Sequence, residues 1–425
     1  MRKRRLLTLA FAIALCFPAL SQERDSVSVS APFSSADAIH FIRPEFQPLS
    51  EMLSLSRVQV PTLGNSLEIM SGMRKLDLMF GDLIGAQESI HFDYYHFSTD
   101  QDPQAIRQIL LERATEGLDV RFLAENLANP DVPLSNYVGM RNSGVRVRLF
   151  TPLVRPLHFV QRLNFRNHQK IAVIDSNVGY IGGMNLAEPY FRSWRDTHLR
   201  IEGPAATVGL EGVFWKMWEG TYSVEPKVHF ADTVSYPEAD RVGKIVQIVS
   251  DGPFDGSRTM EDGYQWVLDN TSSYFYATTP YFVPPRHLMK AMWKAAQRGA
   301  DVRIMIPGVS DVPVMDPLNR FYMRKCLKGG VRVFLSRGAF NHSKTFVADD
   351  YLTSIGSVNY DFRSFRLNYE DNAFIYDAPV ADYMKERYLS DCENLCDELT
   401  PSDVMEWSLG QRLLQGFLWL LSPLM

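Results

Sequence analysis

Apolar positions along the chain recur with two different periods, and the periods alternate. Ile90-His-Phe-Asp-Tyr-Tyr-His-Phe97 has the aromatic content and alternation of a strand. Gln104 to Glu116 then places Ile106, Ile109, Leu110 and Ala114 on one side of a helix. Val120-Arg-Phe-Leu123 and Val145-Arg-Val-Arg-Leu149 return to strand. The same order comes round again. Strand Ser273 to Thr278 precedes a helix around Leu288, Ala291, Met292 and Ala295, then the strands Val302-Arg-Ile-Met305 and Val331-Arg-Val-Phe-Leu335. The punctuation also repeats, with Glu116-Gly117 matching Arg298-Gly299 and Ser143-Gly144 matching Gly329-Gly330. The short runs Ile171-Ala-Val-Ile174 and Thr345-Phe-Val-Ala348 read as buried strands. Alternating strands and helices predict an α/β fold made twice: two similar α/β sandwich halves in a pseudo-two-fold arrangement.

The predicted halves are residues 51–225 and 226–400. Residues 22–50, with scattered Ser, Asp and Pro and little periodicity, predict a linker. Residues 401–425 predict an apolar C-terminal helix, with Leu413, Leu414, Phe417, Leu420 and Leu421 at helical spacing. That segment is too short to span a bilayer. It fits a helix docked on the second half and an interfacial anchor about equally.

The repeat is sharpest in its polar residues. One copy reads Asn167-His168-Gln169-Lys170, then Asp175, then Gly182-Gly183-Met184-Asn185. The other reads Asn341-His342-Ser343-Lys344, then Asp349, then Gly356-Ser357-Val358-Asn359. The differences 342 − 168, 344 − 170, 349 − 175 and 359 − 185 are all 174. The register continues to Phe191-Arg192 against Phe365-Arg366, and to Asp196 against Glu370. Two copies in one register mark an internal repeat, and a pseudo-two-fold pair would place the two H-x-K strands side by side at the interface, where one active site can form.

These residue types suit phosphodiester chemistry. An imidazole can attack phosphorus or move a proton near neutral pH. A Lys two positions on shares its strand face and can neutralise phosphate oxygens. Asn185 and Asn359 offer amide donors to the same oxygens. Splitting a phosphodiester needs an attacking group and a group that protonates the leaving oxygen, and two copies can put His168 and His342 on opposite sides of one phosphorus. Asp196 and Glu370 suit the support of an imidazole, fixing its tautomer. Neither His has zinc-site spacing, and each precedes a cationic Lys, so no metal or other cofactor is expected. His91, His96, His158, His198 and His287 lack repeated partners and are read as packing or solvated residues. Tyr94, Tyr95, Tyr281 and Phe282 lie at equivalent strand ends, where they either pack the core or line an entrance.

At these residues the chain resembles the phospholipase D superfamily, whose duplicated H-x-K-x₄-D-x₆-G-[SG]-x-N motif both copies match. Closer features resemble the bacterial cardiolipin synthases: Arg166-Asn-His-Gln-Lys170, Thr279-Pro-Tyr-Phe-Val-Pro284, Asn359-Tyr-Asp-Phe-Arg-Ser364 leading into Leu367-Asn-Tyr-Glu370, and Leu421-Ser-Pro-Leu424. The resemblance covers roughly residues 55–425. It implies two phospholipase D-like halves sharing one active site. His168 and His342 would be the catalytic pair, with His168 the nucleophile by the family's usual pattern, although the symmetry of the motifs leaves the order open. Lys170, Lys344, Asn185 and Asn359 would bind phosphate, and Asp196 and Glu370 would orient the histidines. Asp175 and Asp349 count with the catalytic motif, though holding structure is the commoner role. Gly183 stands where Ser is common, so a hydroxyl donor is expected to be missing there. The implied reaction joins two phosphatidylglycerol molecules into cardiolipin and glycerol through a phosphatidyl-histidine. A hydrolytic phospholipase D is the alternative, and a nuclease of the superfamily a more distant one.

Charge and the amino end place that chemistry. The formal charge of −5 becomes −9 once the four basic residues of the first 21 are set aside (−5 − 4). That speaks against nucleic acid as partner; the partner the resemblance implies is an anionic phospholipid, phosphatidylglycerol, at a membrane surface. Met1-Arg-Lys-Arg-Arg5, an apolar stretch to Leu15 and Ala19-Leu20-Ser21 form a signal peptide or membrane anchor. In either case the positive-inside rule expects an inner-membrane-associated protein with its catalytic body in the periplasm. The cysteines Cys16, Cys326, Cys392 and Cys396 offer no even disulfide framework once the leader is set aside.

Overall fold

The computed structural model describes residues 38–55, 59–72, 74–150, 164–219, 243–405 and 410. The leader, most of the linker, the half boundary near residue 225, His158 and the apolar segment 412–421 lie outside the described residues.

One 16-stranded sheet runs through the chain, and its order is built twice about a centre. From its first edge it passes through Arg146–Phe150, Asp119–Glu125, Ser89–Tyr94, Lys170–Ile174, Val178–Gly182, His198–Glu202 and Pro61–Met70. The second half follows in reverse: Lys244–Asp251, Asn368–Tyr376, Leu352–Gly356, Thr345–Ala348, Tyr274–Thr278, Asp301–Pro307, Arg332–Ser336 and the added edge strand Cys396–Leu399. Pro61–Met70 and Lys244–Asp251 pair antiparallel at the centre. Antiparallel neighbours are related by a local two-fold, so this pairing makes the whole sheet pseudo-symmetric. In both halves three parallel strands are followed in the chain by an antiparallel run that begins with the motif strand, which pairs with the first of the parallel three.

A pseudo-two-fold pair was expected to bring the two H-x-K strands side by side, and the structure corrects this. Six strands separate Lys170–Ile174 from Thr345–Ala348 in the sheet. Each motif strand already has both edges occupied by neighbours from its own half. The sheet instead folds its faces together. Ile171, Val173 and Leu199 of the first half share one apolar core with Val246, Ile248, Ile355 and Ile375 of the second. The residues just before the first motif strand, Arg166–Asn167, cross over and pair in parallel with Asn368–Tyr369. Burial of this inner face brings the starts of the two motif strands together.

Each half also has an outer core under helices. Helix Arg286–Gln297 buries Leu288, Met289, Ala291, Met292 and Ala295, a one-sided apolar stripe at helical spacing. Helix Gln101–Thr115 buries Ile106 and Leu110 in the same way. The linker expectation needs a second correction from residue 38 onward. Gln47–Leu53 is helical, and Ile42, Phe46, Leu49 and Leu53 are buried in the core of the second half. Their spacings of four, three and four residues form a helical stripe. The side chain of Gln247 ties the segment down by donating to the carbonyl oxygen of Ser50 at 3.0 Å.

Candidate active site

The two histidines sit where the halves cross, and each is held by the half it does not belong to. The backbone N–H of His168 donates to the carbonyl oxygen of Tyr369 at 2.9 Å, and that of His342 donates to Arg195 at 2.7 Å. These bonds are equivalent, since 342 − 168 and 369 − 195 are both 174. The side chains repeat the crossing. His168 Nδ1 lies 2.9 Å from both carboxylate oxygens of Glu370. His342 Nδ1 lies 2.8 Å from Asp196 Oδ2. A carboxylate on Nδ1 fixes the tautomer with Nε2 free to act. Both imidazoles are largely out of water, with side chains 12% and 5% exposed.

The lysines complete the constellation. Lys344 Nζ stands 2.9 Å and 3.0 Å from the two ring nitrogens of His342. A point equidistant from both lies over the ring rather than in its plane, so the in-plane hydrogen bond of Nδ1 goes to Asp196. Lys170 donates to the carbonyl oxygen of His168, and its ammonium lies 5.1 Å from the centre of the Tyr95 ring. Burial and then the neighbouring lysines hold His168 well below the usual imidazole range and His342 at about 3. Burial also lowers Lys170 to about 8 and Lys344 to about 7, with the surrounding carboxylates offsetting part of it.

The two supporting acids differ. Burial pushes Glu370 up to about 7, against the pull of Lys170 and the hydroxyl of Ser357. Asp196 is equally buried, yet His342, Lys344 and Lys75 outweigh the burial and hold it below its ordinary value. Lys75, which sequence reasoning missed, is wholly buried and donates to the Tyr190 carbonyl at 2.9 Å. It lies in the apolar face of helix Arg74–Gly85, and no local pattern singles it out.

The hydroxyl expected to be missing at Gly183 has no room to exist. A Cβ there would meet Asp196 Oδ1 at 2.4 Å, and Asp196 takes its hydrogen bond from the Thr197 N–H instead, at 2.7 Å. Asn185 and Asn359 are both buried, each with an amide oxygen that has no partner. Asn185 Nδ2 donates to the Tyr190 hydroxyl at 2.8 Å. Turning that amide over lets Tyr190 donate to Oδ1 and aims Nδ2 at the open position, ready for a phosphate oxygen.

Asp175 and Asp349 do not join this group. They lie at the far ends of the motif strands, roughly 17 Å of strand from the lysines. Asp175 accepts from the backbone N–H groups of Gln87, Glu88 and Ser89 at 2.7–2.9 Å. Asp349 accepts from Ser272, Ser273 and Tyr274 at 2.8–3.0 Å. Both occupy left-handed turns, with φ of 50° and 48°. Their placement is that of turn anchors, which corrects their inclusion with the catalytic motif.

The aromatic quartet divides. Tyr95 packs edge-on to His168 with centroids 4.9 Å apart, and Tyr281 lies 6.5 Å from His342. Tyr94 and Phe282 are wholly buried core residues. Tyr190, Trp194 and Phe340 close around His342, with centroids 5.1, 5.7 and 6.1 Å away. His91, His96, His198 and His287 stand apart from this group. His91 forms a buried pair with Glu211 at 2.7 Å; burial opposes its charge, but Glu211 and Asp119 raise it to about 9. His96 bonds to the Ala128–Asn129 turn, His198 is buried at the side of Gly182, and His287 meets Glu261 near the surface. Among the described residues no group of three or more His, Cys, Asp or Glu side chains converges as a metal site requires.

The family model described as "Cardiolipin synthase, PLD-like domain" matches residues 80–218 and again 266–392. A cardiolipin synthase of Listeria monocytogenes serotype 4a is 32% identical over 415 residues, spanning 92% of this chain and 84% of that protein. One of Staphylococcus aureus strain Mu50 is 34% identical over 389 residues, spanning 90% and 78%. Among solved structures, the phosphatidylserine synthase of Haemophilus influenzae superposes with a TM-score of 0.66 at 16% identity, spanning 88% of this chain and 100% of that one. The polyphosphate kinase of Porphyromonas gingivalis reaches 0.56 at 13% identity, spanning 91% and 54%. These structural likenesses concern the fold. The chain belongs to the cardiolipin synthase-like family of phospholipase D-type phosphatidyltransferases.

Proposed function

We propose that the chain transfers a phosphatidyl group from one phosphatidylglycerol to a second, giving cardiolipin and glycerol. The observation that carries this reading is the crossed pair, two imidazoles at one site with a carboxylate on each Nδ1. His168 Nε2 attacks phosphorus, a P–N bond forms, and the P–O bond to the departing glycerol breaks. His342 Nε2–H gives that oxygen its proton. A hydroxyl of the second phosphatidylglycerol then gives its proton to His342, its oxygen attacks phosphorus, and the P–N bond breaks.

The unlike acids support this order. An ionised Asp196 stabilises the imidazolium that a proton carrier must become, which suits His342. Glu370, pushed up to about 7, favours a neutral partner, which suits a nucleophile at His168. A phosphodiester anion between Lys170 and Lys344 would neutralise charge that now depresses both imidazoles. Transfer also needs an alcohol to beat water. The dry setting of the imidazoles, with Tyr95, Tyr190, Trp194 and Phe340 packed around them, favours that outcome.

Location belongs to the same proposal. The predicted leader and the family relationship support a body held at the inner membrane on its periplasmic side. No helix among the described residues is long and apolar enough to cross a membrane. The test is mass spectrometry of products from purified protein and phosphatidylglycerol in mixed micelles, with EDTA present. Cardiolipin with free glycerol is expected. Phosphatidic acid alone would replace the transferase reading with a hydrolase.

A further inference from the structure

Two loops at the mouth of the site carry apolar side chains into solvent, and they are copies of each other. One follows strand Asp119–Glu125 and the other follows Asp301–Pro307. They share a four-residue run, Asp131-Val-Pro-Leu134 and Asp311-Val-Pro-Val314. On the first, Leu134 is 71% exposed, with Val138 one helical turn on and Leu127 before it. On the second, Val309 is 75% exposed, with Val312 and Val314 beside it. A single exposed aliphatic side chain is ordinary, whereas matched clusters on both halves around one site are not.

Strand register puts both loops at the catalytic end of the sheet. Tyr94 lies opposite Ala124 on one side and Lys170 on the other, so the first loop leaves the sheet at the level of Lys170. Arg166, two residues before His168, pairs with Glu125 at 2.9 Å at the root of that loop. Thr278 lies opposite Met305 and Thr345, so the second loop leaves beside Lys344. The hydroxyl of Tyr281, whose ring faces His342, donates to Asp311 at 2.9 Å. A groove of about 700 Å³ runs between Trp194, Phe340 and Val309, from the rings around His342 to the exposed tip.

We propose that these loops are the bilayer-facing rim of the site, with Leu127, Leu134 and Val138 on one half and Val309, Val312 and Val314 on the other entering the lipid. This rests on the phosphatidyl-transfer reading. A phosphatidyl donor must bring its phosphorus to buried imidazoles while its chains stay out of water. Drawing a chain into solvent costs about 0.8 kcal/mol per CH₂, so no whole chain can cross an aqueous gap. The protein around the mouth must therefore meet the lipid directly, and that mouth is where the two apolar loops stand.

The test uses the full chain. Leu134→Cys and Val309→Cys carry an environment-sensitive fluorophore, the described native thiols Cys326, Cys392 and Cys396 being buried. Ile84→Cys is the control: Ile84 is 58% exposed but near the end of helix Arg74–Gly85, which leads into the opposite end of strand Ser89–Tyr94. Phosphatidylglycerol vesicles should blue-shift and brighten the probe at 134 and 309 and leave it unchanged at 84. Leu134→Asp combined with Val309→Asp should lower turnover of vesicle phosphatidylglycerol about tenfold, since an interfacial charge replaces two apolar contacts. Turnover of a monomeric short-chain phosphatidylglycerol should stay within about twofold, because exposed substitutions spare the fold. Probes at 134 and 309 that respond no more than the one at 84 would overturn the rim, whether a second copy or another protein covers it. Equal loss on vesicle and monomeric substrate would overturn it too. If neither form of phosphatidylglycerol is turned over, the transfer reading fails, and the probe signal still decides whether the rim enters lipid.

Discussion

Glu370→Gln should make the protein more stable at pH 8 and less active, and the two effects come from one cause. Glu370 is wholly buried, and burial lifts its carboxyl from 4.5 to about 7. The folded state therefore holds a proton that the unfolded chain releases once pH passes 4.5. Where the folded state binds more protons, stability falls as pH rises, so the loss develops between pH 4.5 and 7 and is complete above it. That rise corresponds to about 3 kcal/mol. Glutamine carries no charge to bury and keeps an acceptor for His168 Nδ1. Its amide N–H₂ can face Ser357, whose hydroxyl then turns toward the Asp371 carbonyl 3.2 Å away. Urea unfolding at pH 4.5 and pH 8 measures the effect. The variant should gain about 3 kcal/mol on the wild type in going from the lower to the higher pH. Transfer activity at pH 8, where Glu370 is ionised, should fall about 10²-fold or more, since the neutral amide orients His168 but does not support the charge that the imidazole gains once it is bonded to phosphorus. An identical stability difference at both pH values would refute the reasoning, because Glu370 would then be ionised in the folded protein.

Other outcomes follow from the same geometry. His168→Ala and His342→Ala should each lower transfer by about 10³-fold or more, and the double variant should be little worse than either, as for groups acting as a unit; steady-state product formation checks this. Asp349→Ala strands three backbone N–H groups and leaves Ala at φ 48°, so chemical denaturation should show a loss of about 2–4 kcal/mol, with activity per folded molecule unchanged. Leu49→Ala, in the segment ahead of the first strand, should cost about 2–4 kcal/mol by the cavity it opens, read from the unfolding midpoint.

What the sequence disclosed follows the kind of signal involved. The offset of 174 between His168 and His342 located the histidines, the lysines and the supporting acids, because a repeat is a comparison within the chain and needs no knowledge of tertiary packing. Alternation located the strands to within a few residues: Val120–Leu123 is the centre of Asp119–Glu125, and Thr345–Ala348 is unchanged. Pairing between the halves was not legible. Nothing local says that the sheet closes through Pro61–Met70 on Lys244–Asp251, or that Arg166–Asn167 leaves its half to join Asn368–Tyr369, since strand partners are chosen by the burial of a face assembled from distant segments. Lys75 was invisible for a similar reason, as its partner is a carbonyl 115 residues away. The stripe Ile42, Phe46, Leu49, Leu53 was present to be read, but the intervening Pro and Ser residues resemble a linker when judged by composition.

The crossed carboxylates explain why the duplication is retained as one chain with one site. Neither half contains a complete unit: the first supplies His168 and the acid for His342, and the second supplies His342 and the acid for His168. Separating the halves would strip both imidazoles of orientation at once. Within that symmetry the two copies meet the same requirement differently. The first has the shorter Asp196 against Gly183, with the space filled by the carboxylate itself. The second has the longer Glu370 against Ser357, with a hydroxyl donating to it. Asp196, held by His342, Lys344 and Lys75, stays ionised, and Glu370, whose burial outweighs its partners, moves toward neutrality. A reaction that asks one histidine to attack and the other to carry a proton needs such a difference, and here it arises from the cationic and hydrogen-bonding partners gathered on Asp196 and from burial of Glu370, which Lys170 and the Ser357 hydroxyl only partly offset.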